Sequence, residues 1–114
     1  MSTYDKLVVY KASYDLLVDI FQFTKGFKRE YKYTIGESLK KEVIELITLI
    51  FRANSSKPER RAILQLAREK LEVIRLMMRL LNDLKQVTLK KFVLLSAKIE
   101  CVSRQLAGWQ KGAE

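Results

Sequence analysis

The chain has 114 residues, enough for one domain that buries roughly two-thirds of the surface of its unfolded state. Hydrophobic residues make up 48% of it and charged residues 31%, which is typical of a globular protein and excludes a disordered one. Lysine and arginine outnumber aspartate and glutamate by 22 to 13. The resulting charge of +9 favours polyanionic partners: nucleic acid, an anionic membrane surface or an acidic protein.

The residue types that most enzymes need are missing. There is no histidine, the commonest general base and metal ligand. The single cysteine, Cys101, cannot form an internal disulfide or a zinc site, and it has no histidine to activate it. Gly26 and Gly36 are isolated and form no phosphate-binding loop. We therefore expect no enzymatic activity, no metal and no cofactor.

No apolar run approaches the ~18–20 residues that a membrane span requires, and the beginning of the chain lacks the apolar core of a signal peptide. A lone cysteine fits a reducing compartment. We therefore predict a cytoplasmic protein that does not bind membranes.

Hydrophobic periodicity predicts four helices, at about residues 4–24, 34–54, 58–83 and 88–110. The first helix has apolar residues at steps of three and four, the spacing of one packed face: Leu7, Tyr10, Tyr14, Leu17 and Phe21. Gly26 suits the left-handed position that closes a helix.

Capping patterns mark the later helices. Thr34 and Glu37 form a capping box at the start of the second helix, and Ser56 and Glu59 form another before the third. Thr88 is the expected N-cap of the last helix. The predicted core face of the second helix consists of Leu39, Val43, Leu46, Ile50 and Ala53. That of the last helix consists of Phe92, Leu95, Ile99, Val102, Leu106 and Trp109.

Short connections between amphipathic helices predict an all-α, up-down-up-down four-helix bundle. The apolar pattern of the third helix also predicts that the bundle forms an oligomer. The first apolar seam of this helix comprises Leu64, Ala67, Leu71, Ile74, Met78 and Leu81. Its second comprises Ala62, Leu66, Val73, Leu76 and Leu80. The two seams differ in phase by two residues, about 200° of rotation.

Because a helix that is apolar on opposite sides must be covered on both, we interpret the second seam as an oligomer interface, chiefly Leu66, Val73, Leu76 and Leu80. Side chains off the main seams of the first two helices support the same interpretation: Val9, Leu16, Phe23, Ile44, Ile47 and Phe51. The alternative is a broad, tilted core that absorbs all of these side chains within one subunit.

A polar strip lies between the two seams of the third helix: Arg61, Gln65, Arg68, Glu72, Arg75 and Arg79. Its four arginines are candidates for binding phosphates or carboxylates, because a guanidinium group makes bidentate contacts. The alternative is ordinary solvation, with Glu72 pairing a neighbouring arginine. Further basic residues are expected to support binding electrostatically: Lys40, Lys41, Arg52, Arg60, Lys90 and Lys91.

The connector at residues 27–33 mixes aromatic and basic residues. Such a mixture can bind single strands by charge and base stacking. We favour the alternative, in which Phe27, Tyr31 and Tyr33 cap the end of the bundle while the charges stay in solvent.

Three stretches resemble the accessory variability determinant (Avd) proteins of diversity-generating retroelements: YTIGESL at 33–39, LEVIRLMMRLLNDLKQVTLKKF at 71–92 and LAGW at 106–109. The positions that match the pattern of this family are Arg75, Arg79, Asp83, Leu84, Thr88, Gly108 and Trp109. The chain also resembles the wider four-helix-bundle family that includes proteins encoded in intervening sequences of 23S ribosomal RNA genes.

The resemblance to Avd proteins implies a basic bundle that assembles as a homopentamer. It also implies binding to the reverse transcriptase of the retroelement and to its RNA or cDNA, in support of mutagenic reverse transcription. The positive charge, repeated in an assembly, predicts that nucleic acid is bound without sequence preference. Two alternatives remain open: a general RNA-associated bundle of the ribosomal intervening-sequence type, and a plain oligomeric scaffold whose charge serves solubility.

Overall fold

Four long helices make up most of the chain. A computed structural model describes residues 3–113, with side chains from residue 8 onward. Its helices are α1 (Thr3–Thr24), α2 (Arg29–Tyr31), α3 (Glu37–Ser55), α4 (Arg60–Asp83) and α5 (Leu89–Gly112). A single π turn, Lys32–Gly36, joins the short α2 to α3. No strand occurs between residues 3 and 113, so the prediction of an all-α chain is confirmed.

The four long helices pack side by side in a closed circuit. Helix α1 lies against α3 and α5, and α4 lies against α3 and α5 on the other side. Short connections reverse the direction of the chain at each step, as in an up-and-down bundle. The resulting body measures 44 × 23 × 19 Å.

The core face was predicted correctly for three of the four helices. All five predicted positions of α3 and all six of the first seam of α4 are buried. In α5, Leu95, Ile99, Val102 and Leu106 are buried, while Phe92 and Trp109 are partly buried and pack against the same core. These helices carry their apolar residues at unbroken three- and four-residue spacing, which identifies the packed face.

The predicted core face of α1 is wrong except at Leu17, which packs partly buried against the core. The buried positions are Val9, Ser13, Leu16, Ile20 and Thr24. Tyr10, Tyr14 and Phe21, which were expected in the core, are 40–52% exposed, and Leu7 lies outside the described side chains. Val9 and Leu16, expected in a subunit interface, are core residues, and Phe23 packs partly buried against them.

Two hydroxyl groups account for this error. The Ser13 hydroxyl donates to the Val9 carbonyl at 2.9 Å, and the Thr24 hydroxyl donates to the Phe21 carbonyl at 3.2 Å. Both residues can be buried because a backbone acceptor satisfies the hydroxyl. The true stripe therefore contains two polar residues, whereas the rejected stripe is more apolar in sequence.

The second predicted helix also begins differently. Helical backbone starts at Arg29, before Thr34, and continues through the π turn into α3. The Thr34 hydroxyl donates to the Glu30 carbonyl at 2.6 Å, so this residue lies inside the helical segment and does not cap it. Gly26 does not adopt the left-handed conformation expected of it, because no glycine in the described backbone has a positive φ.

Gly36 fulfils a different requirement, which the π turn creates. A Cβ atom at this position would lie 3.2 Å from the Tyr31 carbonyl oxygen and 3.4 Å from the Phe27 ring. The absence of a side chain therefore allows Phe27, which is buried, to close the end of the bundle. The ring of Phe23 packs edge-on against Phe27, with centroids 4.9 Å apart.

The sequence predicted the N-cap of α5 correctly but not that of α4. Thr88 is the N-cap of α5, as predicted, and its hydroxyl accepts the Lys91 N–H at 3.1 Å. Helix α4 begins at Arg60 with Glu59 as its N-cap and no side-chain capping bond, so the capping box of Ser56 and Glu59 does not form.

Helix α4 ends in a Schellman motif that has lysine at the left-handed position. The Gln86 N–H donates to the Leu81 carbonyl at 2.9 Å, and the Lys85 N–H donates to the Asn82 carbonyl at 3.0 Å. Lys85 has a φ of 59°, a conformation that glycine adopts without a steric penalty from Cβ.

We expect Lys85→Gly to raise the free energy of unfolding by about 1 kcal/mol, since it removes the penalty of a left-handed side chain. Chemical denaturation monitored by helicity measures this change. Lys85→Ala is the matched control, because it removes the same charge but keeps Cβ. Equal stabilisation by both substitutions would show that charge, and not backbone conformation, limits this turn.

Candidate subunit and nucleic-acid interfaces

The second apolar seam of α4 is exposed along its length. Leu66, Val73, Leu76 and Leu80 have 43–66% of their surface accessible to solvent, and Ala62 at the start of the seam is also exposed. The broad, tilted core that could have absorbed these side chains does not form. A row of four large apolar side chains on one helix is the kind of surface that marks a contact with another molecule.

A groove runs beside this seam, between α3 and α4. It has a volume of about 480 Å³. Leu49, Leu66 and Val73 provide its apolar lining. Its charged lining has both signs, with Arg52 and Lys70 beside Glu45 and Glu69. Lys70 bridges the helices here, with its ammonium group 2.8 Å from Glu45 and 3.2 Å from Glu42.

The bridge between Lys70 and Glu45 shifts the pKa of both side chains. The hydrogen bond of Lys70 to Glu45 is the main cause that raises the pKa of Lys70 and lowers the pKa of Glu45. The lysine is therefore committed to α3 and fixes the wall of the groove, and it is not a free cation for a ligand.

A second apolar surface lies on the α1 and α3 side of the bundle. It comprises Tyr10, Tyr14 and Phe21 of α1 and Ile44 and Phe51 of α3, all 40–61% exposed. The Lys40 ammonium lies 5.0 Å from the centre of the Phe21 ring, which shows that the exposed stripes of the two helices adjoin. Ile44 and Phe51 were expected off the core and are exposed, whereas Ile47 is partly buried.

The centre of the polar strip on α4 is occupied by ion pairs. Arg75 contacts Glu100 of α5 at 2.8 Å and Glu72 at 3.3 Å. The hydrogen bond to Glu100 is the largest cause of a raised pKa of the Arg75 guanidinium. Two carboxylates therefore neutralise this arginine, which joins α4 to α5 through Glu100.

Arg68 is held by the end of α5. Its guanidinium donates to the side-chain oxygen of Gln110. The Gln110 amide in turn donates to Gln65 at 2.9 Å and to the Arg61 carbonyl at 3.3 Å. This network fastens the last turn of α5 to α4, so Arg68 is only partly available to a ligand.

The remaining arginines of the strip stay in solvent. Arg61 and Arg79 are exposed, and neither has an acidic partner within residues 8–113. Sequence reasoning missed Arg104, which is also exposed and lies one turn beyond Glu100 on the face of α5 that meets the strip. On this side of the bundle, the predicted Arg61 and Arg79 and the unpredicted Arg104 are the cations left exposed to an anion.

Arg60 has a structural role instead of the supporting role expected of it. It is buried, with 7% of its surface exposed. Its guanidinium donates to the carbonyls of Ala53 at 2.8 Å and Asn54 at 3.2 Å, and it lies 5.9 Å from the Trp109 ring. A cation at the carbonyl end of α3 is favourable, so Arg60 closes that helix.

The other supporting cations are dispersed. Lys40 pairs with Glu37, while Lys41 is exposed. Lys90 is exposed and Lys91 partly buried in the first turn of α5, and Arg52 lines the groove at the opposite end of α3. The fold therefore does not gather these residues and the α4 strip into one patch.

Two features are absent from the described part of the chain. Among its side chains, no group of three or more histidine, cysteine, aspartate or glutamate residues is placed to hold a metal ion. None of its helices has the length and hydropathy needed to cross a bilayer.

Comparison with known proteins identifies the family of this chain. The family model described as bAvd-like matches residues 7–113, nearly the whole chain. The chain belongs to the bAvd-like family. Searches of curated proteins and of solved structures return no match.

Membership of this family indicates the general class of protein. The bAvd-like family is one of accessory proteins and is not known for enzymes. Its members are associated in general with the reverse transcriptase of a retroelement. The resemblance to Avd proteins expected from residues 33–39, 71–92 and 106–109 is thereby confirmed.

We expect Arg60→Ala to lower the free energy of unfolding by about 2–3 kcal/mol, because two charge-assisted hydrogen bonds to the end of α3 are lost. Denaturant titration of both variants measures the effect. Its neighbour provides the control: Arg61→Ala removes an exposed arginine and should change stability by less than about 0.5 kcal/mol. Similar losses in the two variants would contradict the structural role of Arg60.

Proposed function

We propose that this protein is a non-enzymatic accessory factor of a diversity-generating retroelement. In this proposal, several copies assemble through their exposed apolar surfaces, and the assembly binds the reverse transcriptase and its RNA or cDNA. Family membership supports the association with the polymerase. The observation that carries the assembly is the exposed seam at Leu66, Val73, Leu76 and Leu80.

Apolar surface on more than one side of the bundle favours a ring over a simple dimer. A two-fold dimer formed through the α4 seam would leave the α1 and α3 surface uncovered. Head-to-tail contacts, in which the α4 seam of one copy meets the α1 and α3 surface of the next, cover both. The groove beside Leu66 and Val73 could then receive an aromatic side chain of the neighbouring copy, such as Tyr14 or Phe51.

Assembly also multiplies the positive charge. Each copy presents Arg61, Arg79 and Arg104 without acidic partners in the described structure, and the whole chain carries +9. A ring repeats this set around its circumference. Binding to nucleic acid would then be independent of sequence and strongly sensitive to salt.

Leu76→Asp should release folded monomers, because the most exposed residue of the seam becomes charged without disturbing the core. Sedimentation velocity gives the size of the particle, and circular dichroism gives its helicity. The matched control is Ile74→Asp, two residues away and fully buried, which should unfold the chain. Loss of helicity in Leu76→Asp would instead place this seam in the core of the protein.

Co-purification with the reverse transcriptase of the same retroelement tests the function itself. We expect a stable complex with the parent chain and increased cDNA synthesis on the template RNA when the chain is added. Leu76→Asp should weaken both if assembly creates the binding surface. Absence of any complex at micromolar concentration would leave a scaffold or a general RNA-associated bundle as the better explanation.

A further inference from the structure

The aromatic residues of the connector divide into two groups. Phe27 is buried and Tyr31 packs partly buried against the core, as expected of side chains that cap the bundle. Tyr33 does not follow them, since 62% of its surface is exposed. It projects from the π turn, an element that often marks a functional position.

Cations surround this exposed ring. The Arg29 guanidinium carbon lies 6.0 Å from the ring centre, and the Lys32 ammonium lies 5.8 Å away. Both distances are near the outer limit of a cation–π contact, so neither cation covers the ring closely. Neither has a carboxylate partner among residues 8–113.

The two loops at this end of the bundle are held together. The Lys28 N–H donates to the Gln86 side-chain oxygen at 3.1 Å, which brings the first connector against the turn between α4 and α5. Residues 25–36 and 83–91 contain seven lysines and arginines and only two acidic residues. More than half of the net charge of the chain is therefore concentrated here.

In the α4 strip, by contrast, Glu72 and Glu100 neutralise Arg75 and Gln110 holds Arg68, which leaves Arg61 and Arg79 as its exposed cations. An exposed aromatic ring within a field of unpaired cations is how proteins hold single strands: bases stack on the ring and phosphates meet the cations. A duplex offers no free base face to such a ring.

We propose that the end of the bundle formed by residues 25–36 and 83–91 binds an unpaired segment of nucleic acid. One base stacks on Tyr33, and Arg29 and Lys32 contact the flanking phosphates. This inference rests on the proposed function and adds a single-strand contact at the end of the bundle to the exposed arginines at 61, 79 and 104.

Tyr33→Leu and Tyr33→Phe separate stacking from simple bulk. A single-stranded RNA of about 20 nucleotides, its duplex and inorganic polyphosphate serve as probes in fluorescence or competition assays. We expect Tyr33→Leu to weaken binding of the single strand about tenfold, whereas Tyr33→Phe retains it. Polyphosphate has charge but no bases, so its affinity should be the same in all three proteins.

Charge is tested with a pair of lysine and arginine variants. Arg29→Gln should reduce the slope of log affinity against log salt by about 0.7 for the single strand. Lys57→Gln, which removes an exposed cation from the turn at the other end of the bundle, should leave that slope unchanged.

Three results would overturn the site: unchanged single-strand affinity in Tyr33→Leu, an equal loss for polyphosphate, or binding of anionic lipid vesicles without binding of RNA. The same variants are assayed for co-purification with the reverse transcriptase. If the chain binds the polymerase and Tyr33→Leu keeps full affinity for the single strand, this site alone is refuted. If Tyr33→Leu loses affinity for the single strand but the parent chain does not bind the polymerase, the proposed function alone is refuted.

Discussion

Helix α4 is apolar on two opposite sides, and one bundle can cover only one of them. Its inner seam, from Leu64 to Leu81, is buried in the core of the bundle. Its outer seam, from Leu66 to Leu80, is left in solvent by a core that is otherwise complete. Exposed apolar surface is unfavourable in water, and contact with another copy would remove this seam from solvent. The proposed assembly follows from this constraint, and the family relationship is consistent with it.

The packing of the helices also determines which cations have acidic partners. Cations between neighbouring helices are paired: Lys70 with α3, Arg75 with α5, and Lys98 of α5 with Asp19 of α1. These pairs hold the helices in register and contribute little net charge to the surface. Unpaired cations lie along one side, at Arg61, Arg79 and Arg104, and more densely at the end of the bundle around Tyr33 and Lys85. The apolar surfaces on the sides are thus suited to contact other copies, while the densest positive charge lies at one end.

How far the sequence predicts this structure depends on how each residue satisfies its polar atoms. The faces of α3 and α4 could be predicted because their buried positions are almost all apolar. The face of α1 could not, since Ser13 and Thr24 are buried by bonds to carbonyls of their own helix. Arg60 looked like a surface cation, and only the fold shows that its guanidinium reaches the end of α3. Tyr33 was grouped with Phe27 and Tyr31, because an inserted π turn changes the phase of a helix without an evident signal in the sequence.

The mass of the unmodified chain in solution tests the central claim most directly. Sedimentation equilibrium over a range of concentrations gives this mass without reference to shape. We predict a fixed multiple of 13.3 kDa that persists at micromolar concentration, five copies if the assembly is that of Avd proteins. A particle of 13.3 kDa at every concentration would contradict the account, because the outer seam of α4 would then be stable in water without a cover.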